Sequence, residues 1–200
     1  MTKLGLLCSI GSGLGGRCCS ISFSTRGFQT TSFSAAASSA KMSTEFYTFG
    51  PYKIDPKEVF FSTPLSYAMV NLRPVVPGHV LVCPRREVKR FVDLTVEETQ
   101  DLWLTAQRIG GGIERFHKAS SLTFTIQDGP KAGQTVAHAH VHILPRKDGD
   151  FENNDEIYDA IDAKEKELKG KLDLDKERKD RSMEEMCKEA EEYRSLFVLP

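Results

Sequence analysis

His138-Ala139-His140-Val141-His142-Ile143-Leu144 is the stretch that decides the fold. Side chains alternate sides along a strand, so a strand over 136–144 predicts His138, His140 and His142 on one face, with apolar residues on the other. A single histidine is usually a satisfied structural residue, whereas three in strand register mark a site. Upstream, residues 122–127 alternate as a Thr-rich strand. Asp128-Gly129-Pro130 and Lys131-Ala132-Gly133 then supply turn chemistry. The two strands are expected to form an antiparallel hairpin with a Gly-rich connection.

Further from the histidines, Thr95 opens the first convincing helix. Glu98 lies three residues on, where hydroxyl and carboxylate can each satisfy an orphan backbone N–H, and Leu94 can act as a staple. Leu102, Ala106, Ile109, Ile113 and Phe116 recur at helical spacing and predict a buried face. Gly110-Gly111-Gly112 inside that helix costs about 1 kcal/mol per residue relative to Ala, and a kink is expected there. Short β-rich runs at 46–49, 59–62, 66–71 and 79–83 are separated by prolines. Ile157, Ile161 and Leu168 fall at loosely helical spacing. Ser182 and Glu185 form a second capping box, before a helix carrying Met186, Tyr193, Leu196 and Phe197. The fold class read from this is α+β: a largely antiparallel sheet with one long helix packed on it and a C-terminal helix.

The composition bounds the rest. Two hundred residues, 40% hydrophobic and 28% charged, make one domain with appendages. No run of about 18 apolar residues occurs, so a transmembrane helix is excluded. A net charge of −1 argues against bulk attraction to nucleic acid or anionic lipid. Residues 1–44 carry Lys3, Arg17, Arg26 and Lys41, no acid, and much Ser, Thr, Gly and Ala. That reads as a transit peptide for a mitochondrion or plastid, or else as a disordered extension. Translation from Met42 would leave the product in the cytoplasm. Residues 45–151 are read as the catalytic domain, and 152–200 as a charged, mainly helical segment that is solvated. The cysteines, at 8, 18, 19, 83 and 187, are odd in number and form no disulfide framework, with Cys83 a small core residue.

Two chemistries fit three aligned imidazoles. They could hold zinc and leave a fourth position for water. Alternatively, a neutral imidazole attacks phosphorus while neighbouring imidazoles and backbone N–H groups hold the oxygens. Asp128 could be read as a general base, although Asp-Gly-Pro is ordinarily a turn.

The alternation of His with apolar residues, followed by two more apolar residues, resembles the histidine-triad signature. Leu65–Asn71, Pro74–Pro84, Ser121–Phe124, Gln127–Pro130, Ala132–Val136 and Leu144–Lys147 resemble the fragile-histidine-triad branch of that family in order and content. The resemblance implies hydrolysis of diadenosine triphosphate to AMP and ADP, with adenosine phosphosulfate and AMP-amides as further candidate substrates. It implies that His140 is the adenylylated nucleophile, that His138 orients it through its backbone carbonyl, and that His142 contacts the scissile phosphate. Gln127 matches an α-phosphate contact, and Gly133, Gln134, Thr135 and Val136 match a phosphate-contacting loop. Asn71 matches a residue reaching ribose and base, and His79 a supporting histidine. Phe49, Ile54, Met69 and Leu81 would line a base pocket, with plain core packing as the alternative. Tyr52 stands on the rim, where a well-known member has histidine, and His117 matches nothing and is expected to be solvated. No tightly bound cofactor or triad metal is implied, only Mg or Mn assisting the polyphosphate. The family also implies a homodimer, and the charge balance and the lack of an apolar span lead to no expected nucleic-acid or membrane partner. A nucleotide-binding signalling protein whose ligand complex is the output is the alternative reading.

Overall fold

The computed structural model describes residues 47–169 and 180–197, with side chains through Lys164 in the first span. The candidate targeting segment, Met42, and the side chain of Leu168 lie outside the described residues. The described chain opens with a hairpin of β1 (Tyr47–Phe49) and β2 (Tyr52–Ile54), turned at Gly50, whose φ of +55° suits a residue without Cβ. Next come β3 (Val59–Ser62), β4 (Ser66–Val70), β5 (Val80–Pro84), α1 (Val96–His117), β6 (Ser121–Thr125), β7 (Val141–Arg146), α2 (Glu156–Lys169) and α3 (Met183–Phe197). The five later strands form one antiparallel sheet in the order β3-β4-β5-β7-β6.

Each central strand is buried on both faces, and alternation decides which core each residue joins. Ala68, Val70, Val80, Val82, Val141 and Ile143 pack under α1 with Leu102, Ala106, Ile109 and Ile113. Tyr67, Met69, Leu81 and Cys83 face the other way and pack with Phe49 of the hairpin and Val136. His142 shares this second face, between Val141 and Ile143. The pairing runs straight across the sheet: Val59 opposes Met69, Met69 opposes Leu81, Leu81 opposes His142, and His142 opposes Thr125.

The expected α1 start is observed. Thr95 accepts from Glu98 N, and a Glu98 side-chain oxygen accepts from Thr95 N. The expected kink is absent, and the helix runs unbroken through the glycines. They serve close approach instead. A Cβ at Gly110 would meet the Phe124 ring at 2.7 Å, and one at Gly112 would meet the Phe197 ring at 2.5 Å. So β6 and α3 sit on α1 because two of its residues lack side chains. Phe116 corrects the reading of α1: it is 41% exposed, not core. The tail also departs from solvated helix. Ile157 and Ile161 of α2 are buried against Val76 and Leu144, while Met186, Ala190 and Tyr193 of α3 join the core under α1.

The glycines separate in a stability measurement. Gly111 has only Arg115 Nη1 at 3.5 Å, so Gly111→Ala should raise stability by about 1 kcal/mol through helix propensity. Gly112→Ala should lose that gain to overpacking against Phe197, which typically costs about 1–3 kcal/mol. Urea midpoints of the two variants beside the parent check the order.

Candidate active site

The histidines do not all belong to one strand. Strand β7 starts at Val141, so only His142 of the three lies in the sheet; His138 and His140 occupy the irregular approach to it. The expected strand over 136–144 fails at its start because the backbone there bonds elsewhere. His138 N donates to Val136 O at 2.8 Å, and Ala139 N donates to Val88 O at 2.6 Å. All three rings are nonetheless buried, and His140 and His142 meet with Nε2 atoms 3.1 Å apart.

The partners of these rings fix every proton. His140 Nδ1 lies 2.7 Å from the His138 carbonyl oxygen, which can only accept, so Nδ1 carries the hydrogen and Nε2 keeps its lone pair. His142 Nε2–H then donates to that lone pair, leaving His142 Nδ1 as acceptor. His79 Nε2 lies 2.9 Å from it and supplies the proton. His79 Nδ1 accepts in turn from Val75 N at 3.2 Å. The relay therefore runs one way, from a backbone amide through three neutral rings to a backbone carbonyl. His138 is fixed separately. Its Nε2 donates to Pro84 O at 2.9 Å, and its Nδ1 accepts from Gly50 N at 3.1 Å.

Burial keeps these rings neutral. It lowers the basicity of His79, to a pKa of about 3, and takes His142 well below the ordinary imidazole value, with neighbouring histidines adding to both effects. His140 and His138 are lowered by burial too, offset in part by their carbonyl partners. Nε2 of His140 is thus an unprotonated nitrogen held in one orientation, which is the requirement for a nucleophile.

Around the rings the expected residues converge, some in different roles. Asn71 Nδ2 lies against the His79 ring, 3.2 Å from Nε2 and 3.4 Å from Nδ1, while its Oδ1 accepts from Arg73 N, so it links the pocket to the relay. Gln127 sits next to Gly133: a Cβ on Gly133, at φ +92°, would lie 2.6 Å from Gln127 Nε2. Nε2 of Gln127 donates to Asp162 of α2, a neighbour that nothing in the sequence spacing signals. Gln134, expected at the phosphates, has its side chain turned inward. Its Oε1 accepts from Gly129 N, and its Nε2 donates to Lys89 O and, at 3.4 Å, to His138 O. Gln134 thereby braces the carbonyl that orients the nucleophile. Thr135 is half-buried beside it. Asp128 is a structural acid, receiving Arg90 through two nitrogens and Phe91 N. His117 is not solvated, because its Nε2 lies 2.7 Å from the hydroxyl of buried Tyr193.

A pocket of about 240 Å³ opens beside the triad. Phe49, Ile54, Met69 and Leu81 all line it, with Asn71 and Val136, so the four serve as pocket wall and core together. Phe49 joins pocket to triad, its ring centroid 5.0 Å from that of His140 in edge contact. Tyr52 lies on the lining, as expected of the rim, and Glu58 and Met186 are members that the sequence reading missed. Among the described residues no group of three or more His, Cys, Asp or Glu is arranged to hold a metal ion.

Comparison with known proteins agrees with this geometry. The HIT domain family model matches residues 53–149. The bifunctional bis(5'-adenosyl)-triphosphatase/adenylylsulfatase FHIT of Arabidopsis thaliana is 74% identical over 151 residues, 76% of this chain and 84% of that protein. The bis(5'-adenosyl)-triphosphatase of Dictyostelium discoideum is 55% identical over 149 residues, 74% of this chain and 91% of that protein. Among solved structures, the diadenosine triphosphate hydrolase of Plasmodium falciparum in complex with cyclomarin A superposes with a TM-score of 0.61 at 34% identity. The match covers 78% of this chain and 86% of that one.

The neutral relay has a consequence for stability. The unfolded chain binds protons on its histidines below about pH 6.5, whereas the folded chain, with lowered pKa values, does not. Stability is therefore complete above that pH and is lost as pH falls towards 5, by up to about 1.4 kcal/mol per pH unit for each such histidine. Glu58, whose carboxyl is raised by burial, works in the opposite direction. Urea midpoints at pH 7, 6 and 5 should fall steadily, and a flat profile would contradict neutral burial of the rings.

Proposed function

Because this chain belongs to the histidine-triad family, in its fragile-histidine-triad branch, we propose that it is a bis(5'-adenosyl)-triphosphatase, a hydrolase cleaving diadenosine triphosphate to AMP and ADP. The observation that carries the mechanism is the hydrogen bond from His140 Nδ1 to the His138 carbonyl, which leaves His140 Nε2 unprotonated. That nitrogen attacks the α-phosphorus, the bond to the bridging oxygen breaks, and ADP departs. The AMP–His140 adduct then yields to water, so one difficult displacement becomes two easier ones. In the resting site His142 Nε2–H occupies the lone pair of His140. Substrate binding turns that hydrogen to a phosphate oxygen, where charge develops. Gln127 and the 133–136 loop hold the α-phosphate, Asn71 reaches the ribose, and the base lies in the pocket lined by Met69 and Leu81. Hydrolysis of adenosine phosphosulfate follows from the same attack with sulfate as leaving group, an activity named in the Arabidopsis relative.

The donor set supports a nucleophile without a resident metal. The ring nitrogens of the triad and His79 are committed to each other and to backbone groups. A divalent Mg or Mn assists by neutralising the polyphosphate. The working form is a homodimer. Among the described residues strand β6 ends the sheet with one side unpaired, and Phe124 on it is 38% exposed, an edge that a second copy can extend. Sedimentation equilibrium should give twice the chain mass, and a monomer at micromolar concentration would refute that arrangement.

His140→Ala removes the covalent route and should lower kcat at least a thousandfold, about 4 kcal/mol of barrier, while KM changes little. Acid-free quenching of the wild-type reaction should trap AMP on His140 by peptide mapping. An adduct on another residue, or a variant retaining more than about a tenth of kcat, would show the assignment wrong.

A further inference from the structure

Glu58 is the buried ionisable residue of the pocket lining, 8% exposed among mainly apolar walls. It stands in the short turn between β2 and β3, where Asp55 and Glu58 form a capping box. The box uses one oxygen: Oε1 accepts from Asp55 N at 3.1 Å. Oε2 has no hydrogen-bond or ion-pair partner among the described residues, and it is not sealed away as the orphaned Gln127 Oε1 is. A glutamine would close the capping box equally well. Lys53 also lines the pocket but, among the described residues, forms no ion pair with Glu58. A carboxylate among apolar walls without a paired cation is costly, so the box alone does not account for it.

The sheet register shows how far Glu58 stands from the chemistry. Val59, its neighbour, opposes Met69, which opposes Leu81, which opposes His142. Three interstrand steps of about 4.8 Å separate Val59 from the phosphate-contacting histidine, roughly 14 Å, the scale of an extended mononucleotide. A base laid over Leu81 and Met69 therefore brings its far edge to Glu58. The turn is also held in place. Arg194 of α3 donates to the carbonyls of Pro56, Lys57 and Val59, and Met186 of α3 closes the pocket beside it.

We propose that Glu58 is a specificity-determining residue whose free carboxylate oxygen accepts a hydrogen bond from the exocyclic amino group of the adenine base. The substrate class selected is thus an adenosine nucleotide over the same nucleotide carrying unsubstituted purine, which lacks that donor. This rests on the nucleotide-hydrolase reading of the site. Burial raises the Glu58 carboxyl above its ordinary value, and the amino donor favours its ionised form.

The experiment compares kcat/KM for diadenosine triphosphate and its di(purine riboside) analogue in the wild type, Glu58→Gln and Glu58→Val. The wild type should prefer the adenine substrate about tenfold, the ordinary scale for a hydrogen bond to a charged group. Glu58→Gln keeps the capping box and turns an amide N–H₂ towards the base amino group. Its preference should collapse to within about twofold, and Glu58→Val should behave alike. Equal losses on both substrates would place Glu58 in the cap alone and overturn the proposal. A wild-type preference for diguanosine triphosphate that Glu58→Val abolishes would overturn it too, because the carboxylate would then read guanine N–H groups. Failure to hydrolyse any of these dinucleotides would refute the nucleotide-hydrolase reading itself, a result distinct from an unchanged ratio.

Discussion

The carbonyl oxygen of His138 is the acceptor on which the site depends. It takes the Nδ1 proton of His140, and that single commitment determines the state of each ring upstream: His142 must give at Nε2, and His79 must give to His142. A backbone carbonyl cannot titrate or change tautomer, so it fixes the direction of the relay while the rings stay neutral. The fold secures this oxygen from several sides. Gln134 donates to it from a side chain locked between Gly129 N and Lys89 O, and the next residue is tied to Val88. The His138 ring is itself pinned between Pro84 O and Gly50 N. Keeping all four rings neutral below the ordinary imidazole pKa requires exclusion from water, and their burial supplies it.

Burial on both faces of the sheet follows from the same requirement. One face packs on α1, and the other carries His142 beside Leu81 and Met69. A residue on the second face has two duties, filling the interior and shaping the pocket. Phe49 shows this best, as it packs with Leu81 and Val136 while its ring meets those of His138 and His140. The distinction between core and pocket wall, which the sequence reading posed as an alternative, disappears in the structure.

The clustering of the three histidines, the hairpin of β6 and β7, the α1 capping box and the α3 capping box were legible because each is local: short spacings are printed in the chain. What was not legible depends on partners far away in sequence. The strand was drawn too long at its start because the competing acceptor, Val88 O, lies some fifty residues upstream of Ala139. The glycines of α1 looked like a kink because their cause is Phe124 on β6 and Phe197 on α3. His117 looked solvated because Tyr193 reaches it only once α3 has docked. Gln134 was placed at the phosphates by its neighbours in the motif, while its amide found three backbone partners inside.

The C-terminal helix therefore belongs to the site, although it contributes nothing to the triad. Tyr193 and Ala190 bury it in the core under α1, which sets where Arg194 stands. From there one guanidinium gathers three carbonyls, those of Pro56, Lys57 and Val59, at the β2–β3 turn beside the pocket. Met186, two turns earlier on the same helix, completes the pocket wall. The chemistry is held by backbone atoms near the triad, and the shape of the nucleotide pocket is held by a helix more than forty residues further along. Positional tolerance differs accordingly: a nucleophile needs its lone pair aimed to a fraction of an ångström, whereas a base pocket needs only a closed wall and a fixed polar end.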